Sequence, residues 1–150
     1  MIAPSSIVER ILALNPDYNA SLTRKRLSQL NAQGVASLSS TSTVLPRLQV
    51  SLEDTLSDTQ VEQPTSDVSD MGSAGNFITL YGVLVEAESQ DAALAVVQQL
   101  RRTLIGWKPQ DPYNSDSSMF TFYRGYPIGE DQKTFFYLTL WRVLEPLYPV

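Results

Sequence analysis

The chain contains no cysteine and no histidine. The first absence excludes disulfides, thiolate metal sites and thiol nucleophiles. The second removes imidazole bases and His-ligated zinc or haem. Lysine is scarce, with only Lys25, Lys108 and Lys133. Carboxylate, lysine, serine and tyrosine chemistry remain, together with Mg or Ca sites built from oxygen ligands. No apolar run approaches the roughly 20 residues needed to span a bilayer. The first sixteen residues lack a basic leader and carry Glu9, so no signal peptide is expected. These features lead to the expectation of a soluble protein made in a reducing cytoplasm, with no membrane partner.

What is present is enough for one domain, residues 1–150, with 43% hydrophobic residues to build a core. The net charge of −5 is unevenly spread. Residues 1–52 carry five basic and two acidic side chains, residues 53–91 nine acidic and none basic, and residues 92–150 six basic and five acidic. The acidity is local. A general or sequence-specific nucleic-acid surface is disfavoured, because phosphate contact needs clustered Lys and Arg.

The clearest local unit runs from Asn76 to Pro109. Phe77–Ala87 is rich in β-branched and aromatic residues, which predicts a strand. Ser89 is placed to cap a helix, and Asp91 sits where the positive end of a helix dipole favours an acid. Ala93, Val96, Val97, Leu100 and Leu104 recur at helical spacing, giving one apolar face to about Ile105. Gly106 can take the left-handed conformation that ends a helix, and Pro109 prevents its resumption.

Taken in order, Ser6–Leu14 is predicted as a short helix. Ser6 and Glu9 have capping-box spacing, and Ile7, Val8, Ile11 and Leu12 form a stripe. Asn15-Pro16-Asp17 breaks it. A second helix is predicted from about Ala20 to Leu30, on the weaker stripe of Leu22, Leu27 and Leu30. It carries the basic run Arg24, Lys25 and Arg26, which reads as a solvated helix face, a contact for an acidic partner or neighbouring subunit, or a small nucleic-acid contact. Asn31–Thr43 reads as a Ser/Thr/Gly/Ala connector. Val44–Leu52 alternates as a half-buried strand, with Pro46 at its start or on an edge.

Glu53–Gly75 is the anomaly. It holds Glu53, Asp54, Asp58, Glu62, Asp67 and Asp70 with no basic residue, and it reads as a long acidic loop that is solvated or orders on a partner. Asp67 and Asp70 lack the spacing of an EF-hand calcium loop. After a loop at Gln110–Ser118, Met119–Tyr126, a turn at Pro127–Asp131 and Lys133–Leu144 read as a hairpin. Phe136, Leu138, Leu140 and Leu144 fall on one face of its second strand, and Phe135, Tyr137, Trp141 and Val143 on the other. One face is expected to lie under helices. The other must hide against a subunit, the long loop or the tail Pro146–Val150. The order α-α-β-β-α-β-β predicts an α+β domain. Its four-stranded sheet is mixed or mainly antiparallel, with helices packed on one face and the acidic loop as an extension.

No catalytic constellation emerges. Gly72-Ser73-Ala74-Gly75 lacks the lysine and strand context of a phosphate loop. The serines have no histidine partner, and Glu86 and Glu88 read more simply as a solvated strand end than as an acid–base pair. No enzyme activity, metal or cofactor is expected.

The segment Leu80–Pro109, followed by a hairpin ending Phe135-Phe136-Tyr137-Leu138-Thr139-Leu140-Trp141-Arg142-Val143, resembles the tail terminator proteins of long-tailed bacteriophages. It is most similar to the Mu-like minor tail branch. The shared features are a strand entering a helix through Ser89–Ala92, the helix end Leu104-Ile105-Gly106-Trp107-Lys108-Pro109, and a closing aromatic strand. The helix Ile7–Leu14 and the strand at Leu45-Pro46 fit the same layout. The acidic segment Glu53–Gly75 has no counterpart in it.

The resemblance implies a structural protein of the virion, assembled in the host cytoplasm. Such proteins form a homo-hexameric ring on the head-proximal end of the tail tube. The ring stops tube growth, and sheath growth where there is one, and joins the tail to the neck or connector protein. Trp107 is expected to plug the core beside the Gly106 turn, with a role as a partner hot spot as the alternative. Other classes compatible with the residues are another neck or head-completion protein and a small-molecule-binding α+β regulatory module.

Overall fold

The computed structural model describes residues 2–38, 45–57, 76–108, 120–131 and 133–146. The elements are α1 (Pro4–Leu14), β1 (Asn19–Leu22), a short 3-10 helix (Leu27–Gln29), α2 (Ala32–Leu38), β2 (Arg47–Ser57), β3 (Asn76–Ala87), α3 (Gln90–Leu104), β4 (Thr121–Asp131) and β5 (Thr134–Pro146). The strands form a mixed sheet in the order β1-β2-β3-β5-β4. Only β1 and β2 pair in parallel. The class is α+β as expected, with five strands where the hydrophobic pattern shows four.

The β3–α3 unit folds as its residues dictate. Ser89 stands in extended conformation, and its hydroxyl accepts from the Ala92 amide at 3.1 Å. All five residues of the predicted apolar stripe of α3 are buried. The helix closes at Leu104, and Gly106 takes φ +82°. Helix α1 packs beside α3 on the same face, burying Ile7 and Ile11. Its start differs from the predicted capping box. The helix begins at Pro4, with Ala3 as N-cap and no side-chain cap, because proline fits the first turn where an amide has no partner anyway.

Two segments differ from the sequence expectation, the first for a tertiary reason and the second for a local one. Residues 19–22 form β1 rather than a helix, and the Asn19 and Thr23 amides donate to the Pro46 and Val50 carbonyls along β2. The apolar stripe there was weak, and a tertiary ladder outweighs a small local preference. Residues 32–38, read as connector, form α2. Its end is set by Asn31, whose side-chain oxygen accepts from the Gly34 amide at 2.8 Å.

The sheet is covered on both faces, not one. Leu48, Val50, Tyr81, Val83, Val85, Trp141 and Val143 face α1 and α3. Leu84, Phe136, Leu138 and Leu140 lie on the opposite face, under Leu27 and Val35 with Leu30 and Ala32 at their margin. The second aromatic face therefore lies beneath the 3-10 helix and α2. The sequence reading had assigned it to a subunit, the acidic loop or the C-terminal tail.

The hairpin also differs in its turn. Strand β4 runs through Pro127 to Asp131, and reversal lies between Asp131 and Thr134 with Lys133 at φ +70°. A register shift between Pro127 and Gly129, with Gly129 at φ +145°, lets the proline sit on this outermost strand.

A buried ion pair crosses β2 and β3 on the second face. The Arg47 guanidinium meets the Glu86 carboxylate, and both side chains are buried. Glu86 is thus not the solvated strand end expected; Glu88, just past the strand, is exposed. Removing one member of such a pair leaves an unpaired buried charge. Glu86→Ala should therefore destabilise the fold by about 3–5 kcal/mol, whereas the double change Arg47→Met with Glu86→Leu should cost far less. Urea unfolding of both variants checks the difference.

Candidate functional site

No preformed reactive centre organises the described residues, so the candidate sites are surfaces and the groups that hold them in place. Among the described residues no cluster of three or more acidic side chains could hold a metal ion. No described helix is long and apolar enough to cross a membrane. A pocket of about 150 Å³ lies between the chain entering β2 and the start of α3, lined by Leu45, Pro46, Ala87, Glu88, Ala92 and Val96. Glu88 is the sole charged group among the described residues on its walls.

The basic run sits on an irregular connection rather than a helix, bent at Arg24 and Lys25. Arg24, Lys25 and Arg26 lie between β1 and the 3-10 helix, all three exposed, and none forms an ion pair among the described residues. The group that fixes this connection is Glu53, which the sequence places at the start of the acidic loop. Glu53 instead continues β2 and is 4% exposed. Its carboxylate accepts from the Leu27 amide at 2.8 Å, the Ser28 amide at 3.4 Å, the Ser28 hydroxyl at 2.9 Å and the Ser51 hydroxyl at 2.7 Å. In an uninterrupted helix from Ala20 to Leu30, the amides of Leu27 and Ser28 would point to the carbonyls four residues earlier. Here they donate to a carboxylate on β2, which caps the 3-10 helix and leaves Arg26 before it in extended conformation.

Gly82 makes room for this arrangement. A Cβ there would stand 2.6 Å from Glu53 Oε1 and 3.0 Å from Ser51 Oγ. The signal in the sequence was a lone glycine inside an otherwise bulky strand, a mark of close approach.

Asp54 also belongs to β2, half-buried, beside a register shift between Leu52 and Asp54. Asp58, Glu62, Asp67 and Asp70 lie outside the described residues, as does Pro109. The structure thus separates the acidic run into a buried anchor, Glu53, a half-buried strand residue, Asp54, and residues it does not describe.

The Gly106-Trp107 turn forms a clasp. The Gly106 amide donates to the Phe120 carbonyl, and the Phe120 amide donates back to the Trp107 carbonyl, each at 3.3 Å. The Trp107 ring stacks on Phe120 with centroids 5.2 Å apart, and Arg10 lies over its other side at 5.7 Å. Trp107 is only half-buried, at the margin of the core. The expected plug is Phe120, which is fully buried and also packs against Tyr81. The sequence puts Phe120 inside the hairpin strand Met119–Tyr126, where nothing marks it as the plug; in the structure it stands just ahead of β4.

A polar weld between α1 and α3 was also missed. Asn15 donates to the Ile11 carbonyl and the Thr103 hydroxyl, each at 3.0 Å, and Arg10 donates to the Thr103 carbonyl at 3.1 Å. Burial pushes the Tyr18 phenol above its ordinary pKa.

Compared with known proteins, the chain matches no protein-family model. No curated protein matches it. It is weakly similar to a chain in the solved structure of the virion of a native gene transfer agent particle, with 11% identity and a TM-score of 0.49 over 98% of this chain and 100% of that one. Likeness at that level does not establish a common fold or role.

Two stability outcomes follow from these anchors. Gly82→Ala should cost about 1–3 kcal/mol by overpacking against Glu53, and Glu53→Ala a similar amount by orphaning the Leu27 and Ser28 amides; combining them should be clearly less than additive in denaturant melts. Phe120→Ala should destabilise by about 3–5 kcal/mol, and Trp107→Ala by about half of that. A larger loss for Trp107→Ala would reverse their order.

Proposed function

We propose that this protein is a structural subunit of a phage-like virion, and within it a tail terminator: a ring, six-fold in the resembling family, at the head-proximal end of the tail tube. On this reading it stops tube polymerisation and presents a surface to the neck. Its partners are copies of itself, the tube protein, a sheath protein where the tail has one, and a neck or connector protein. Its role is architectural rather than catalytic.

The observation that supports the reading is the arrangement of the resembling segment. Strand β3 enters α3 through the Ser89 cap, α3 ends at the Gly106-Trp107 clasp, and the aromatic strand β5 returns antiparallel to β3 along its whole length. The motif residues are joined by these contacts into one folding unit. The surface adds to this support. The exposed loop of Arg24, Lys25 and Arg26 is held by a buried carboxylate, which presets it for contact with an acidic surface. Prepositioned surface charge with no ion-pair partner among the described residues suits an assembly protein.

Electron microscopy of purified tail tubes mixed with gold-tagged protein tests the function. Label at one end only, as a ring, is the expected result. Label along the tube, or none with folded protein, would refute it. If the basic loop makes subunit contacts, raising salt to about 1 M should weaken ring formation, because the screening length then falls to about 3 Å.

A further inference from the structure

Strand β4 and its flanks carry arginine on an aromatic ring three times. Arg101 lies 4.3 Å from the Phe122 ring centroid, Arg124 lies 5.0 Å from that of Tyr126, and Arg142 lies 5.9 Å from that of Tyr123. Phe122 pairs with Trp141 and packs on the α3 side of the sheet, whereas Arg124 pairs with Leu140 and Tyr126 packs on the other side. The guanidiniums therefore flank the same strand from both faces. All three arginines are exposed, and none makes an ion pair among the described residues.

A ring beneath a guanidinium holds it flat and leaves the N–H donors at its rim open. That planar fork matches a carboxylate in two-point contact. Between the arginines, β4 is the outermost strand of the sheet, with no strand on its outer side among the described residues, and Tyr123 is 50% exposed. The acids of β4 itself, Glu130 and Asp131, stand at its far end. The surface fits an acidic polypeptide.

The chain contains such a polypeptide. Between Glu53 and Gly75 it has six acidic residues and no basic one, and only Glu53 is consumed by the anchor described above. We propose that the β4 arginine array is the docking surface for the acidic segment of a second copy, with Asp58, Glu62, Asp67 and Asp70 of one subunit facing Arg101, Arg124 and Arg142 of the next. The contact joins two different surfaces, so repeating it head to tail closes a ring or extends a filament. It rests on the reading above that copies of this chain associate, and it names the contact. A nucleic-acid partner fits less well, because the whole chain carries −5 and would repel phosphate away from this one patch.

Sedimentation velocity of the full-length protein across a concentration series tests the contact. Two variants are compared with the parent: Arg124→Gln with Arg142→Gln, and Asp58→Asn with Glu62→Gln, Asp67→Asn and Asp70→Asn. Each should weaken association about tenfold, with melting temperatures unchanged. An equimolar mixture of the two should recover association but stop at the dimer, since only one intact pairing remains. Several results would overturn the proposal: a parent that stays monomeric, variants that associate like the parent, or a mixture that does not recover. A fluorescent single-stranded oligonucleotide that binds the parent and is lost only with the arginine variant, with self-association unaffected, would reassign the surface. Absence of label from tail ends with this association intact would remove the proposed function and leave the contact standing; the opposite pair of results would do the reverse.

Discussion

Strand β3 is hydrogen-bonded along both edges and covered on both faces. It pairs with β2 on one side and β5 on the other, and every residue from Tyr81 to Ala87 is buried. A strand so enclosed leaves little place for an unpartnered polar group, and the buried Thr79 hydroxyl is the exception, with no hydrogen-bond partner among the described residues. Its odd positions meet α1 and α3 with Tyr81, Val83 and Val85; its even positions meet the 3-10 helix and α2 with Leu84, while Glu86 takes Arg47. Even the Tyr81 hydroxyl is spent, donating to the Ile2 carbonyl at 2.6 Å and so tying down the N-terminal strand of chain before α1.

The polar half of the second face has a distinct job. Arg47, Gln49, Ser51 and Glu53 are all buried on β2, where apolar residues would pack as well. Buried carboxylates are weak sources of net stability, because desolvation offsets the attraction. What Glu53 supplies instead is position. By taking the Leu27 and Ser28 amides it caps the 3-10 helix, fixes the end of the basic connection at the surface, and lets Leu27 and Val35 close over Leu84 and Phe136. The same charge therefore shapes both a core and a surface.

The surfaces share a theme of exposed cations that form no ion pair among the described residues. Arg24, Lys25 and Arg26 stand at one edge of the sheet, near β1, and the ring-seated arginines stand along the opposite edge at β4. Charges of opposite sign on separate surfaces favour register and fast encounter in a complex more than tight binding. The fold offers this on a rigid frame: both edges belong to one continuous sheet.

The amino-acid sequence by itself determined the elements whose signals are local. The Ser89 cap, the five-residue stripe of α3, the Gly106 turn, and strands β3 and β5 lie where periodicity and capping chemistry put them, because each is specified by residues within a turn or two. Gly82 was a visible hint of close approach without naming what approaches. Tertiary structure decided the rest. Residues 19–22 became a strand because β2 was there to pair with, and Leu27–Gln29 formed a separate 3-10 helix because Glu53, distant in sequence, offered the Leu27 and Ser28 amides an acceptor. Phe120 displaced Trp107 as the core plug because burial depends on where the sheet ends, not on the turn beside it. Arg101 met Phe122, and Arg142 met Tyr123, only once the hairpin had folded back against β3 and under α3. Local propensity acts over a few residues, whereas a buried charge or a ring-seated arginine takes its partner from whatever strand the completed sheet brings beside it.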